Sequence, residues 1–163
     1  MSYCHRWIDG SAIDLPIGKI VCVGRNYAAH AKELGNEVPD APILFIKPAS
    51  SLTSMSEALH LPQGLGEVHH EVEIALLVQD QLKNVDAATA AWSMAGYGLA
   101  LDLTLRDVQN QLKKNGHPWE RAKGFDGACP VSGFIDARGV SGKQTLDISL
   151  EINGKLRQQG NTS

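Results

Sequence analysis

The stretch at 68–78, Val-His-His-Glu-Val-Glu-Ile-Ala-Leu-Leu-Val, constrains the fold more than any other. Its β-branched content and its alternation predict a strand. Val68, His70, Val72, Ile74, Leu76 and Val78 fall on one face; His69, Glu71, Glu73, Ala75 and Leu77 fall on the other. A strand rises about 3.3 Å per residue, so Glu71 and Glu73 project the same way from backbones about 6.6 Å apart. Two carboxylates that close repel unless positive charge stands between them. A hard divalent cation with oxygen ligands is one answer. A solvated face of an antiparallel sheet is the plainer one. Two details favour the cation. The acidic face turns apolar at Ala75 and Leu77, and His69 and His70 add ligand-type side chains beside the acids.

A second alternating stretch holds a third acid. Leu99, Leu101, Leu103 and Leu105 share one face, and Gly98, Ala100, Asp102 and Thr104 share the other. Asp102 is a lone acid among small residues, where a ligand has room to approach. Alone it reads better as an edge-facing or hydrogen-bonded structural Asp. With Glu71 and Glu73 it gives three oxygen donors. Mg²⁺ takes about six and commonly leaves some to water or substrate.

The rest of the chain supplies shorter elements. The 163 residues are enough for one domain with a real core. Asp9-Gly10 predicts a hairpin turn in an N-terminal extension, residues 1–18, ahead of a single domain at 19–163. Ile20–Val23 and Ile43–Ile46 are short strands. A helix is predicted over Tyr27–Leu34, stopped by Gly35, with His30 and Glu33 on one face. Such a pair is a solvent-facing contact or a carboxylate orienting a histidine for general-base work. Residues 48–66 are rich in Ser, Pro and Gly and predict a long loop. Asp86 is placed to cap a helix over Ala87–Met94, and Arg106–Gly116 reads as a polar helix with a glycine stop. Arg106 and Gln109 lie near the Asp102 strand end. Lys123 lies in a loop, and Asn153-Gly154 is the strongest hairpin turn, after a strand at 145–152.

Composition excludes several classes. A net charge of −3 with no basic-aromatic interleaving argues against a nucleic-acid partner. No apolar run approaches the roughly 20 residues that span a bilayer, so no membrane role is expected. Cys4, Cys22 and Cys129 are odd in number and widely spaced, which predicts a reducing, cytoplasmic setting without a disulfide framework. No soft-metal spacing of the C-x-x-C kind occurs.

Taken together, Val21-Cys22-Val23-Gly24-Arg25-Asn26-Tyr27, His30-x-x-Glu33, His69-His70-Glu71-Val72-Glu73, Leu101-Asp102-Leu103-Thr104, Arg106-Asp107-Val108-Gln109, Ala122-Lys123-x-Phe125 and Cys129-Pro130 resemble the fumarylacetoacetate hydrolase family. The similarity is to its small acylpyruvase and oxaloacetate-processing branch and runs from about residue 19 onward. It implies a β-rich α+β fold, a mixed β-sandwich roll, and a homodimer. It implies Mg²⁺, with Mn²⁺ as the substitute, held by Glu71, Glu73 and Asp102. It further implies that His30 with Glu33 activates a water, that Lys123 steadies developing negative charge, and that Arg25, Arg106 and Gln109 lie near a substrate carboxylate.

The activity implied is hydrolysis of a carbon–carbon bond in a 2,4-dioxo acid through a pyruvate enolate. Oxaloacetate decarboxylation and enol–keto tautomerisation give the same enolate and are the alternatives on one site. The family pattern continues beyond the equivalent of Ser163 with further strands. An inactive metal-binding fragment is therefore the third expectation, and a hairpin cut in its second strand the structural one.

Overall fold

The computed structural model describes residues 3–27, 39–140 and 145–162. The predicted helix carrying His30 and Glu33 lies outside the described residues from 28 onward. Eleven strands are described: β1 (Ile20–Gly24), β2 (Ile43–Lys47), β3 (Leu52–Ser54), β4 (Val68–His69), β5 (Val72–Val78), β6 (Met94–Leu101), β7 (Thr104–Leu105), β8 (Cys129–Val131), β9 (Ile135–Asp136), β10 (Asp147–Ile152) and β11 (Lys155–Asn161). Three short helices join them: α1 (Ala87–Trp92), α2 (Arg106–Lys114) and α3 (Glu120–Lys123).

The central sheet has five strands. β3, β8, β6 and β5 follow one another, and β9 also pairs with β6. β3 and β8 run parallel, and the other pairs are antiparallel, so the sheet is mixed. Three two-stranded units surround it: β1 with β2, β4 with β7, and β10 with β11. The β-rich α+β fold expected from the sequence is the fold observed.

The strand predicted over 68–78 is interrupted. β4 ends at His69 and pairs with β7, whereas β5 begins at Val72 and pairs with β6. The partner breaks at the matching place, between β6 and β7, at Asp102 and Leu103. A single backbone hydrogen bond, Asp102 N–H to the Glu71 carbonyl at 2.7 Å, ties the two breaks together. The Gln158 side chain, reaching in from β11, completes the repair. Its oxygen accepts from the Val72 N–H at 2.9 Å, and its amide nitrogen donates to the His70 carbonyl at 3.0 Å. Buried backbone polar groups need partners, and this amide stands in for a missing strand.

Two clusters make up the core. Leu77, Cys129, Val131 and Phe134 gather Trp7, Ile13, Leu52, Ala75 and Ala100 around them. Leu105, Leu112 and Ala122 pack with Val68, Val108, Trp119 and Phe125. The small residues near Asp102 serve the first cluster rather than a ligand. A Cβ on Gly98 would meet the Phe134 ring at 3.1 Å, so the glycine makes room for an aromatic side chain. The Asp9-Gly10 turn is present, with Arg6 bridged to Ala12. The Ile8 N–H donates to the Phe134 carbonyl and fastens this hairpin to the sheet edge.

Other local expectations are met or displaced. The Asp86 carboxylate accepts from the Thr89 N–H at 2.7 Å and caps α1, which ends at Trp92 because Met94 enters β6. The predicted loop at 48–66 contains a 3₁₀ turn, Ala49–Ser51, and β3, whose pairing with β8 supplies order that local composition does not announce. Asn153 and Gly154 both adopt positive φ, 54° and 70°, as a two-residue hairpin of the primed type requires. In the second strand of that hairpin, β11 pairs along β10 from Lys155 to Asn161.

Candidate active site

The breaks at 70–71 and 102–103 lie at one end of the central sheet and open a cleft of about 70 Å³. Its walls include Arg25, Glu71, Glu73, Asp102, Arg106, Gln109, Lys113 and Lys123. All the described candidate residues are thereby brought together, from five separate segments. Glu71 sits in the gap before β5, and Glu73 lies on β5 opposite Ala100. Asp102 follows β6. Arg106 and Gln109 stand one turn apart on α2, and Lys123 closes α3. Lys123 is buried rather than solvent-facing in a loop, at 3% exposure.

An ionic network links these groups. Lys123 Nζ donates to Glu71 Oε2 at 2.8 Å and to Asp102 Oδ2, and it lies 5.1 Å from the centre of the Phe45 ring. Arg106 donates from one terminal nitrogen to Glu71 Oε1, from the other to Gln109 Oε1 at 2.6 Å, and from Nε to His69 Nδ1 at 3.3 Å. Burial would push the Glu71 carboxyl up, but Lys123 and Arg106 together hold it down, at about 2. Glu71 is an anion at every working pH.

Glu73 is in the opposite condition. It makes no hydrogen bond or ion pair among the described residues. Burial and the neighbouring charges of Asp102 and Glu71 push its carboxyl up to about 8. The cleft therefore lacks positive charge at one place, beside three acids.

Sequence reasoning missed Lys47. It is fully buried at the end of β2. Its ammonium donates to the carbonyls of Leu103 at 3.2 Å, Ala128 at 3.0 Å and Lys123. It also lies 2.8 Å from Asp102 Oδ1. That approach is off the hydrogen-bonding direction, so Oδ1 is charge-paired and buried yet accepts no hydrogen bond. The signal was faint: one lysine ending an otherwise apolar strand, just before a proline.

As these side chains stand, no group of three or more His, Cys, Asp or Glu among the described residues is spaced to hold a metal ion. Lys123 and Arg106 instead draw Glu71 and Asp102 to themselves. The donor set nonetheless suits a hard cation. It has three carboxylates, one of them unpaired and made hard to ionise by its neighbours, and one buried oxygen without a hydrogen bond.

The family model for the fumarylacetoacetate (FAA) hydrolase C-terminal region matches residues 19–163. The oxaloacetate tautomerase YcgM of Escherichia coli K12 is 50% identical over 160 residues, covering 98% of this chain and 73% of that protein. The mitochondrial oxaloacetate tautomerase FAHD1 of Arabidopsis thaliana is 44% identical over 144 residues, covering 88% of this chain and 65% of that protein. Among solved structures, the fumarylpyruvate hydrolase of Pseudomonas aeruginosa in complex with Mn²⁺ and pyruvate superposes with a TM-score of 0.87 at 32% identity, covering 99% of this chain and 71% of that one. This chain is thus shorter than each of the three. No helix among the described residues is long and apolar enough to cross a membrane.

Proposed function

Because the chain belongs to the fumarylacetoacetate hydrolase family, we propose that it acts on oxaloacetate, interconverting its enol and keto forms, with decarboxylation as the neighbouring outcome on the same site. The observation that carries this reading is the buried Lys123 ammonium set between Glu71 and Asp102 in an open cleft. The relatives from E. coli and Arabidopsis, both named oxaloacetate tautomerases, support it over the carbon–carbon hydrolysis that the sequence first suggests. The Mn²⁺ complex of the Pseudomonas relative supports a divalent cation.

Glu71, Glu73 and Asp102 would hold Mg²⁺ or Mn²⁺. That ion would supply Lewis acidity toward the 2-oxo acid. The chain's own residues do the rest. Arg106 and Gln109, joined to each other, present N–H donors to a substrate carboxylate. Lys123 places a desolvated positive charge where the enolate oxygen develops, which lowers the barrier to proton removal at C3. His30, with Glu33, is assigned from the family resemblance as the group that takes and returns that proton; both lie outside the described residues. Reprotonation at the oxygen gives the enol. Loss of the C4 carboxylate as carbon dioxide leaves a pyruvate enolate that is protonated at C3.

Hydrolysis of an acylpyruvate is the second reading, and the fumarylpyruvate hydrolase likeness favours it. Comparing oxaloacetate with acetylpyruvate on one preparation separates the two. The proposal expects faster decay of the oxaloacetate enol, lost in the His30→Ala and Lys123→Met variants; a preference for acetylpyruvate would overturn it. A homodimer is part of the same proposal. The cross-strand pairs Val21–Ile46 and Val23–Leu44 leave an aliphatic face on β1 and β2 that a second copy would cover.

A further inference from the structure

The charges lining the cleft do not cancel locally. Glu71 is taken by Arg106 and Lys123, and Asp102 by Lys123 and Lys47. Arg25 and Lys113 are also in the wall, and neither has a carboxylate partner among the described residues. We propose that Lys113, aided by Arg25, determines specificity by binding the second carboxylate of a four-carbon dicarboxylic 2-oxo acid. This inference rests on the reading of the cleft as a 2-oxo acid site and names the group that tells a diacid from a monoacid.

Position supports it first. Arg106, Gln109 and Lys113 follow one another on α2 at spacings of three and four residues, so all three face the cleft. Lys113 stands about one helical turn, roughly 5.4 Å, beyond Gln109. A carboxylate held at Arg106 and Gln109 leaves the far end of an extended diacid directed along that row. Lys113 is also held in place, with its ammonium 5.4 Å from the centre of the Trp119 ring.

Electrostatics supports it second. Burial and the charges of Arg106 and Arg25 lower the Lys113 pKa below the ordinary lysine value. Like charges with no ion-paired carboxylate of their own among the described residues are stabilised by an incoming anion. Arg25 adds backbone evidence. Its φ is +56°, and the only other non-glycine residues with positive φ among those described are Asn84 and Asn153. An arginine in the left-handed region is strained, and such strain clusters at ligand sites.

The test uses a matched pair of unreactive ligands. Malate and lactate share the 2-hydroxy acid group and differ by the distal carboxylate. With Mn²⁺ present, calorimetry should show wild-type protein binding malate more tightly than lactate. Lys113→Met should weaken malate by about tenfold, as expected for one charge-assisted contact, and leave lactate unchanged. Lys113→Arg should restore malate binding. Lys114→Met, an exposed neighbour, should change neither. Equal loss of both ligands, no loss of either, or no malate preference in wild type would overturn the proposal. Oxaloacetate turnover on the same samples separates the two readings. A malate preference that depends on Lys113 without turnover would sink the reaction and spare the subsite. Turnover with no dependence on Lys113 would do the reverse.

Discussion

At the scale of single residues, the cleft is governed by where lysines are buried. Lys123 and Lys47 bracket Asp102, one from the cleft and one from the core. Removing one partner of a buried pair leaves an uncompensated charge, which commonly costs about 3–5 kcal/mol. Lys47→Met should therefore lower stability by about 3 kcal/mol or more in urea unfolding, since three carbonyls also lose their donor. A change below about 0.5 kcal/mol would show that Lys47 is not required to hold Asp102. The acids themselves were legible in sequence, because Glu-x-Glu and a lone Asp on alternating strands announce a shared face. Lys47 was not legible. Its role depends on carbonyls 56 to 81 residues away, and no local pattern encodes them.

At the scale of elements, the informative feature is the paired break in the two strands that carry the acids. Alternation predicted both stretches but not their interruption. Period-2 patterning records which face a residue takes, not where hydrogen-bonded partners change. The break frees Glu71 and Asp102 from the regular ladder and turns them toward α2 and α3. Gln158 then replaces the missing ladder contacts at Val72 and His70. Gln158→Ala leaves a donor and an acceptor unpaired in a half-buried place and should cost about 1–3 kcal/mol. It should also weaken Mn²⁺ binding several-fold, because Glu71 and Glu73 flank Val72. Unchanged stability and unchanged Mn²⁺ affinity together would show that the β10–β11 hairpin does not support the site.

At the scale of the whole molecule, the chain uses a mixed sheet to bring five segments to one end of the fold. The β-rich α+β class followed from the family resemblance, and short alternating stretches announced several of its strands. The parallel pairing of β3 with β8 did not, because it joins residues nearly 80 positions apart through a segment that reads locally as loop. The exposed face of β1 and β2, with Leu44 at 61% and Ile46 at 49% exposure, is the feature a monomer leaves unexplained. Leu44→Glu should shift sedimentation from dimer to monomer. A wild-type monomer at micromolar concentration, or a Leu44→Glu dimer, would contradict the dimer assignment.

The most direct test of the central claim is decay of the oxaloacetate enol absorbance on this chain, with Mg²⁺ or Mn²⁺ and then with excess chelator. The account predicts acceleration over the buffer rate that the chelator removes and that Lys123→Met lowers by about 10²-fold or more, the usual loss for a group stabilising developing charge. Enol decay at the buffer rate in all samples, or acceleration indifferent to both chelator and Lys123, would contradict it.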